Sequence, residues 1–429
     1  MYQDERHPAV QLAETMTKIY QKGLTSTSGG NLSIMDAQGN MWITPGSIDK
    51  ARLTAQDIIC VFPDGSFVGK HRPSIEYKFH QKIYQLRPEL KAVVHAHPTG
   101  LVGYSLVQRL PDEKLFFSAE ENIGKLLLAQ YALPGSDKLV NSVAEAFSEG
   151  CDAAVMANHG AITASALSLA DAYNRFECLE SLGQIESHTC QFGNPLQLTK
   201  EEIDRFSMYS PECVSEAHSR VARFDLKERQ ELLYWIRRAA HQRLISGAMF
   251  SFSCRAEKNV FLINPKRMGA GEMDENDLVS IEGDSAEHGK TPDRLWSIHR
   301  AVYEAHPEIN AVLINYSEAM MGLACSDAVL ETRSMPETYI MLRSLPCLSM
   351  QEYLDQPDRL LGMLGEATPV MYVKNGFVIS TGGCLQTAFD RMEVAEYAAG
   401  AAEIACRFGR VKSLPEEEIK MIKEAFHLT

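Results

Sequence analysis

Four residues have the types and spacing for metal-assisted chemistry: His95, His97, His159 and Glu76. Val93-Val94-His95-Ala96-His97-Pro98 reads as the end of a β-strand. Alternate side chains of a strand share a face, so His95 and His97 point the same way. Pro98 has no N–H to continue the ladder. His159, in Ala157-Asn158-His159-Gly160, also follows an apolar strand, and neighbouring strands could bring it beside the other two. Three neutral imidazoles with an open fourth position are the ligand set of a catalytic zinc. Taken alone, His-x-His is read equally well as a solvated strand end. Glu76 lies near the start of a helix opened by Arg72-Pro73-Ser74, where proline suits the first turn. A carboxylate there could ligate the metal or shuttle protons. The plainer reading is an exposed glutamate favoured by the helix dipole.

The chain repeats itself, and the repeat decides between these readings. Trp42-Ile43-Thr44-Pro45 aligns with Leu262-Ile263-Asn264-Pro265. Pro73 to His80, with Tyr84 and Pro88, aligns with Pro292 to His299, with Tyr303 and Pro307. Asn158-His159-Gly160-Ala161-Ile162 aligns with Lys374-Asn375-Gly376-Phe377-Val378. Two similar domains are expected, at 1–208 and 222–429, joined by a polar stretch from Ser210-Pro211-Glu212 to Arg223. In the second copy His95 becomes Ile314, His97 becomes Tyr316, His159 becomes Asn375 and Glu76 becomes Leu295. The scaffold persists while all four disappear together. Joint loss is what one shared site predicts, and independent surface residues need not behave so.

The elements that must position these residues follow from periodicity. Residues 8–22, 74–86 and 138–148 read as helices, with Ile75, Phe79, Ile83 and Leu86 as the apolar stripe of the second. Residues 31–34, 41–44, 58–62, 92–97 and 153–157 read as strands. Ala- and Glu-rich helices are expected at 168–187 and 386–406. The mixture implies layered α/β domains whose sheets need not be wholly parallel. Two loops, Thr27-Ser28-Gly29-Gly30-Asn31 and Thr44-Pro45-Gly46-Ser47, offer hydroxyls and backbone amides that could cradle a phosphate or a polyhydroxy chain. Each is first of all a turn former.

Bulk composition sets the outer bounds. A chain of 429 residues, 45% hydrophobic and 23% charged, is ordinary multi-domain globular material. A net charge of -14 argues against a nucleic-acid grip, though a local pocket can still be positive for an anionic sugar. The polar start, Met1-Tyr2-Gln3-Asp4-Glu5-Arg6, lacks a signal-peptide pattern, and no apolar run has membrane-helix length. Ten scattered cysteines without CxxC spacing read as reduced thiols. A cytoplasmic protein without membrane or nucleic-acid partners is expected.

In order and spacing, Gly29-Gly30-Asn31-Leu32-Ser33, Ile43-Thr44-Pro45, Pro73-Ser74-Ile75-Glu76, Val94-His95-Ala96-His97 and Asn158-His159-Gly160 resemble the class II aldolase/adducin family. The resemblance covers nearly all of the first copy, and the second resembles a metal-less domain of the family. It implies two tandem three-layer α/β/α domains, each around a largely antiparallel sheet. It implies zinc, or another divalent metal, on His95, His97 and His159, with Glu76 as acid/base. Asn31, Thr44, Gly46, Ser47 and Ser74 are implied to hold a substrate phosphate. It also implies tetrameric rings with sites between neighbouring domains, so a homo-oligomer is expected. That oligomer is a dimer forming a pseudo-four-domain ring, or a tetramer. Two departures stand out. Fuculose-phosphate aldolases carry a second serine where this chain has Ile75, and a tyrosine where it reads Leu115-Phe116-Phe117-Ser118-Ala119-Glu120-Glu121. An alignment through Gln130-Tyr131-Ala132 puts Glu120 near an acidic residue of epimerases in the family.

The expected activity is zinc-dependent aldol cleavage of a ketose or ketose phosphate through a metal-stabilised enediolate. Glu76 would serve as base if burial raises its pKa toward neutrality. An epimerase, dehydratase or decarboxylase could use the same site. A non-catalytic scaffold is the remaining rival, opposed by the intact ligand set.

Overall fold

Alternating apolar residues produce strands that bury one face against each of two helix layers. In a computed structural model the chain is described over residues 6–208, 226–257 and 260–428. The expected connector around Ser210 to Arg223 and the reading of the first five residues lie outside these. The chain forms two compact units. One runs as far as Asp112 and includes Glu120–Gly183; the other comprises Glu113–Ala119 and the chain from Gln184 onward. Residues 113–119 and 184–208, which the repeat assigns to the first copy, thus pack with the second unit.

In the first unit helix α1 (Pro8–Gln21) precedes β1 (Asn31–Met35), β2 (Met41–Ile43), β3 (Ile59–Val61) and β4 (Phe67–Val68). Then come α2 (Tyr77–Leu86), β5 (Ala92–Ala96), α3 (Thr99–Leu106), α4 (Ser118–Ile123), β6 (Leu126–Ala129) and α5 (Asp137–Ser148). The series closes with β7 (Ala153–Met156), β8 (Gly160–Ser165) and α6 (Leu169–Phe192). The sheet order is β4-β3-β2-β1-β5-β8-β7-β6. Its pairs are antiparallel except β6 with β7. On one face Ile43, Ile59, Val93, Ile162 and Ala164 pack against Phe79 and Ile83 of α2 and Val143 and Phe147 of α5. The other face carries α1, α3 and α6, the last held by Thr163 Oγ1 donating to the Ala172 carbonyl. This is the expected three-layer α/β arrangement on a largely antiparallel sheet.

Two local expectations need correction. Helix α2 starts at Tyr77, so Ser74 and Ile75 precede it and Glu76 is its N-cap residue. The apolar stripe is also different. Ile75 is 69% and Leu86 38% exposed, while the buried side is Phe79, His80, Ile83 and Tyr84. Two polar residues inside that stripe hid the true face from a purely apolar count.

In the second unit β9 (Phe250–Glu257), β10 (Val260–Ile263), β11 (Val279–Glu282), β12 (Ser285–Ala286), β13 (Ala311–Asn315), β14 (Cys347–Leu348), β15 (Val370–Val373) and β16 (Val378–Gly382) repeat the topology. Their order is β12-β11-β10-β9-β13-β16-β15-β14. Helices Leu226–His241 and Leu385–Cys406 share one core with Phe252, Leu262 and Leu313. Register makes the correspondence rigorous. Asn31 pairs with His95 and His95 with Ile162; Ser251 pairs with Ile314 and Ile314 with Ile379. It also corrects the last alignment. Asn158 and Asn375 are the residues with positive φ, at 55° and 57°, in the β7–β8 and β15–β16 turns. The counterpart of His159 is therefore Gly376, and that of Gly160 is Phe377. A ligand is still lost there, one position further along than the sequence alignment placed it.

Candidate metal centre

The end of β5 and the β7–β8 turn bring the three imidazoles together. One ring nitrogen of each of His95, His97 and His159 lies within 4.8 Å of the others. His95 is fully buried, and its Nδ1–H donates to the Ala161 carbonyl at 2.9 Å. That bond leaves the Nε2 lone pair turned to the centre, the usual way a protein orients a ligating histidine. His97 Nε2 stands 3.1 Å from His95 Nε2. Two bare imidazole nitrogens that close repel unless a cation or a proton lies between them. Burial, assisted by the neighbouring histidines, pushes His97 down to about 3 and His159 down to about 4. Both rings are therefore neutral at neutral pH, the state a metal ligand needs. The donor set fits a divalent cation that accepts nitrogen ligands.

Glu76 supplies the oxygen side of the cluster. Its Oε2 is 3.4 Å from His95 Nε2 and its Oε1 is 3.3 Å from His159 Nε2. Burial raises its pKa, but the facing His95 and His159 rings and the Asn31 amide outweigh that and hold it below the usual carboxylate range. The direction is opposite to the sequence-based expectation. Polar groups at contact distance exceed the desolvation that motivated it.

Close backbone approach makes room for the rings. Gly30 has a φ of 71°, and a Cβ there would meet the His95 carbonyl at 2.7 Å. A Cβ on Gly160 would lie 2.6 Å from the Ala96 carbonyl and from His97 Cδ2. In the second unit these positions hold Phe250 and Phe377, both buried. The turn after His97 is clamped by Glu180 of α6, whose carboxylate accepts from Gly100 N and Leu101 N at 2.9 Å each. Glu396 repeats this clamp on Ala319 N and Met320 N.

The remaining expected residues divide. Asn31 Nδ2 donates to Glu76 Oε2 at 2.8 Å and Ser74 Oγ at 3.1 Å, so Asn31 and Ser74 join the cluster. Gly46 packs on the Ser74 segment, where an added Cβ would come within 3.2 Å of Ser74 Cα. Ser47 is exposed at the tip of that turn, with a φ of 56°. Thr44 is different. It is fully buried, and its Oγ1 accepts from Leu32 N at 3.1 Å. Asn264 makes the same contact to Phe252 N, so this hydrogen bond belongs to the scaffold. Glu120 is solvent-exposed on α4 and hydrogen-bonds to none of the three histidines or Glu76 among the described residues.

Three members were missed from sequence. His80 and Tyr84 are buried behind Asn31, and their recurrence as His299 and Tyr303 was the available signal. Lys50 is 0% exposed, and its Nζ donates to the Pro45 carbonyl at 2.7 Å. Its backbone N–H bonds to the Thr27 carbonyl, so it ties the two polar loops together. Burial pushes its ammonium down to about 8, and no carboxylate forms an ion pair with it among the described residues. Its counterpart is Ala270, so this charge is lost along with the histidines.

The described cysteines are free thiols, and no described helix is long and apolar enough to cross a membrane. The chain is similar to 3-oxo-tetronate 4-phosphate decarboxylase of Escherichia coli, 31% identical over 41% of this chain and 85% of that protein. It is 32% identical to L-fuculose phosphate aldolase of Methanococcus maripaludis, over 39% of this chain and 89% of that one. It is 30% identical to 5-methylthioribulose-1-phosphate/5-deoxyribulose-1-phosphate aldolase of Rhodospirillum rubrum, over 47% and 88%. A solved L-fuculose 1-phosphate aldolase superposes with a TM-score of 0.43 at 29% identity, over 48% of this chain and 97% of that one. The family described as Class II Aldolase and Adducin N-terminal domain matches twice, at residues 10–187 and 230–402. Those two matches span most of the sequence, and the chain is a tandem member of the class II aldolase and adducin family.

Proposed function

We propose that this chain is a metal-dependent carbon–carbon lyase acting on a small phosphorylated keto sugar, with aldol cleavage as the first reading. One observation carries it: three imidazoles and one carboxylate converge on a single point at the end of β5. His95, His97 and His159 would hold the metal, with zinc preferred for this ligand set. A bound divalent cation would supply Lewis-acid stabilisation of the charge that develops when the bond breaks.

The residues around it account for the rest. A ketose 1-phosphate cut between C3 and C4 releases an aldehyde and leaves the enediolate of dihydroxyacetone phosphate. Glu76 takes the proton from the C4 hydroxyl and returns one to C3 of that enediolate. Asn31 holds the carboxylate by its Oε2, while Oε1 faces His159. Lys50 is a buried positive charge beneath the loops at Thr27 and Pro45, which favours an anionic group there.

A second reading, decarboxylation, has a specific observation behind it. A four-carbon 2-hydroxy-3-oxo acid carrying phosphate at C4 loses carbon dioxide to give the same three-carbon enediolate. Carbon dioxide leaves without an aldehyde oxygen to be protonated or deprotonated. This chemistry does not call for the tyrosine that is missing from 115–121, where Leu115, Phe116 and Phe117 are buried. Both readings share one step, protonation of the enediolate at C3. Deuterium uptake into dihydroxyacetone phosphate in D2O therefore tests both, alongside metal content by elemental analysis. Bound metal with exchange is the expected result. A metal-free protein without exchange would favour a scaffold. Products from ketose 1-phosphates and 3-oxo acid phosphates then separate aldolase from decarboxylase.

The repeat boundaries 1–208 and 222–429 and a dimer imitating a four-domain ring belong to the same proposal. A monomer mass by light scattering would count against that assembly.

A further inference from the structure

A buried hydrogen-bond chain runs away from Glu76, and its polarity can be worked out. Glu76 Oε2 accepts from Asn31 Nδ2 at 2.8 Å. An ionised carboxylate only accepts, so the Asn31 amide must present its NH2 group to Glu76 and its oxygen to the other side. On that side His80 Nε2 lies 2.5 Å from Asn31 Oδ1. An amide oxygen cannot donate, so Nε2 carries the hydrogen. The other nitrogen, Nδ1, then accepts from Ser33 Oγ at 2.7 Å. Tyr84 closes the chain, its OH 2.8 Å from Ser33 Oγ and 3.1 Å from the Ser33 carbonyl. His80 is fully buried, and stacking on Phe79 at 4.6 Å between ring centroids limits its rotation.

The second unit keeps half of this chain. Ser253 Oγ lies 2.6 Å from His299 Nδ1 and 2.7 Å from Tyr303 OH. There, however, Asn31 is replaced by Ser251 and Glu76 by Leu295. His299 Nε2 and Ser251 Oγ are both buried without a hydrogen-bond partner. The Ser–His–Tyr part therefore serves the fold in both units. Only the last link, from Nε2 to the amide, is peculiar to the unit with the histidine cluster.

We propose that His80 is a positioning residue. Its Nε2–H locks the Asn31 amide so that the NH2 group holds the Glu76 carboxylate against the metal-ligating histidines. Without that lock the amide can flip, put its oxygen against the carboxylate and release it. The inference rests on the lyase reading for its effect on rate, but not for the hydrogen-bond chain itself.

The test compares His80→Leu, His80→Gln and His299→Leu in the full chain loaded with zinc. The readouts are melting temperature, zinc content and deuterium uptake into dihydroxyacetone phosphate. Both leucine variants remove a Ser–His–Tyr network and should lose similar thermal stability. His80→Leu alone should slow exchange at saturating substrate by about 10²-fold, with KM and zinc content unchanged. The Gln carboxamide can place an N–H where Nε2 stood, so His80→Gln should recover most of the rate. An equal slowing in His299→Leu, a zinc loss that parallels the rate loss, or a wild-type rate in His80→Leu would overturn the proposal. Nitrogen-15 spectra of labelled histidine in the metal-free wild type give an independent reading. The Nε2–H tautomer is expected at His80, and the Nδ1–H tautomer would overturn the proposal whatever the activity. Absence of exchange in the wild type itself would strike the lyase reading, leaving those spectra to decide the lock.

Discussion

The strand β5 and its counterpart β13 have the same length, the same neighbours and the same register, yet they end in opposite chemistry. Around β5, one buried and two half-buried imidazoles converge and are left with ring nitrogens to offer. Around β13, Ile314 and Tyr316 occupy the places of His95 and His97. The Tyr316 ring lies beside Phe116 and Phe117, at centroid distances of 5.8 and 6.2 Å. Asn375 Nδ2 donates to the carbonyls of Leu115 and Leu196 at 2.7 and 2.9 Å. Residues that brace the backbone were kept: Ser33 as Ser253, His80 as His299, Tyr84 as Tyr303 and Glu180 as Glu396. The three histidines and Glu76 were replaced by Ile314, Tyr316, Gly376 and Leu295, which offer no such ligand set. Internal comparison thus separates groups that hold the fold from groups available for chemistry.

The largest effect should come from breaking the metal set. His97→Ala is expected to remove metal and activity together, and full turnover by a metal-free His97→Ala protein would sink the metal reading. Metal content should stand near one ion per chain, because among the described residues the ligand cluster occurs once. Next, Glu76→Gln should retain metal and lose about 10²-fold or more in exchange rate. Third, Lys50→Met should raise KM for dihydroxyacetone phosphate by about tenfold, equivalent to roughly 1.4 kcal/mol of lost attraction. Metal content and melting temperature should hold. An unchanged KM would reduce Lys50 to a loop staple. Asn375→Ala should cost the second unit about 1–3 kcal/mol by removing the amide donor from the Leu196 carbonyl and leaving Leu115 only the Cys325 thiol. A calorimetric scan should show that loss without a loss of turnover.

The smallest effect is a pH dependence. Burial pushes His299 from its ordinary 6.5 down to about 3. The unfolded chain binds the extra proton first, so stability from this group is complete above pH 6.5 and falls as pH drops toward 3. His299→Leu should flatten that part of the stability profile. A slope unchanged by the substitution would assign it to other groups.

Much of this was readable along the chain, because strands alternate and repeats preserve order. The three histidines, Glu76, the duplicated topology and the α/β class all rest on local spacing. Other features depend on which face a helix turns inward. His80 and Tyr84 look like breaks in an apolar stripe until α2 is seen to turn them toward Ser33. Lys50 looks like a surface lysine in Asp49-Lys50-Ala51-Arg52 until its Nζ is found bonded to the Pro45 carbonyl. That the Thr44 hydroxyl accepts from Leu32 N is likewise visible only in the fold.

The sequence by itself determined the number of copies, the ligand types and which copy could hold a metal, since these depend on residue identity at repeated positions. Tertiary structure alone decided that Gly376, not Asn375, stands in the place of His159, because a turn's register is set by strand pairing rather than by letter matching. It also reversed the direction expected for the Glu76 pKa. Burial and polar contacts act through space, and only their distances show which one prevails.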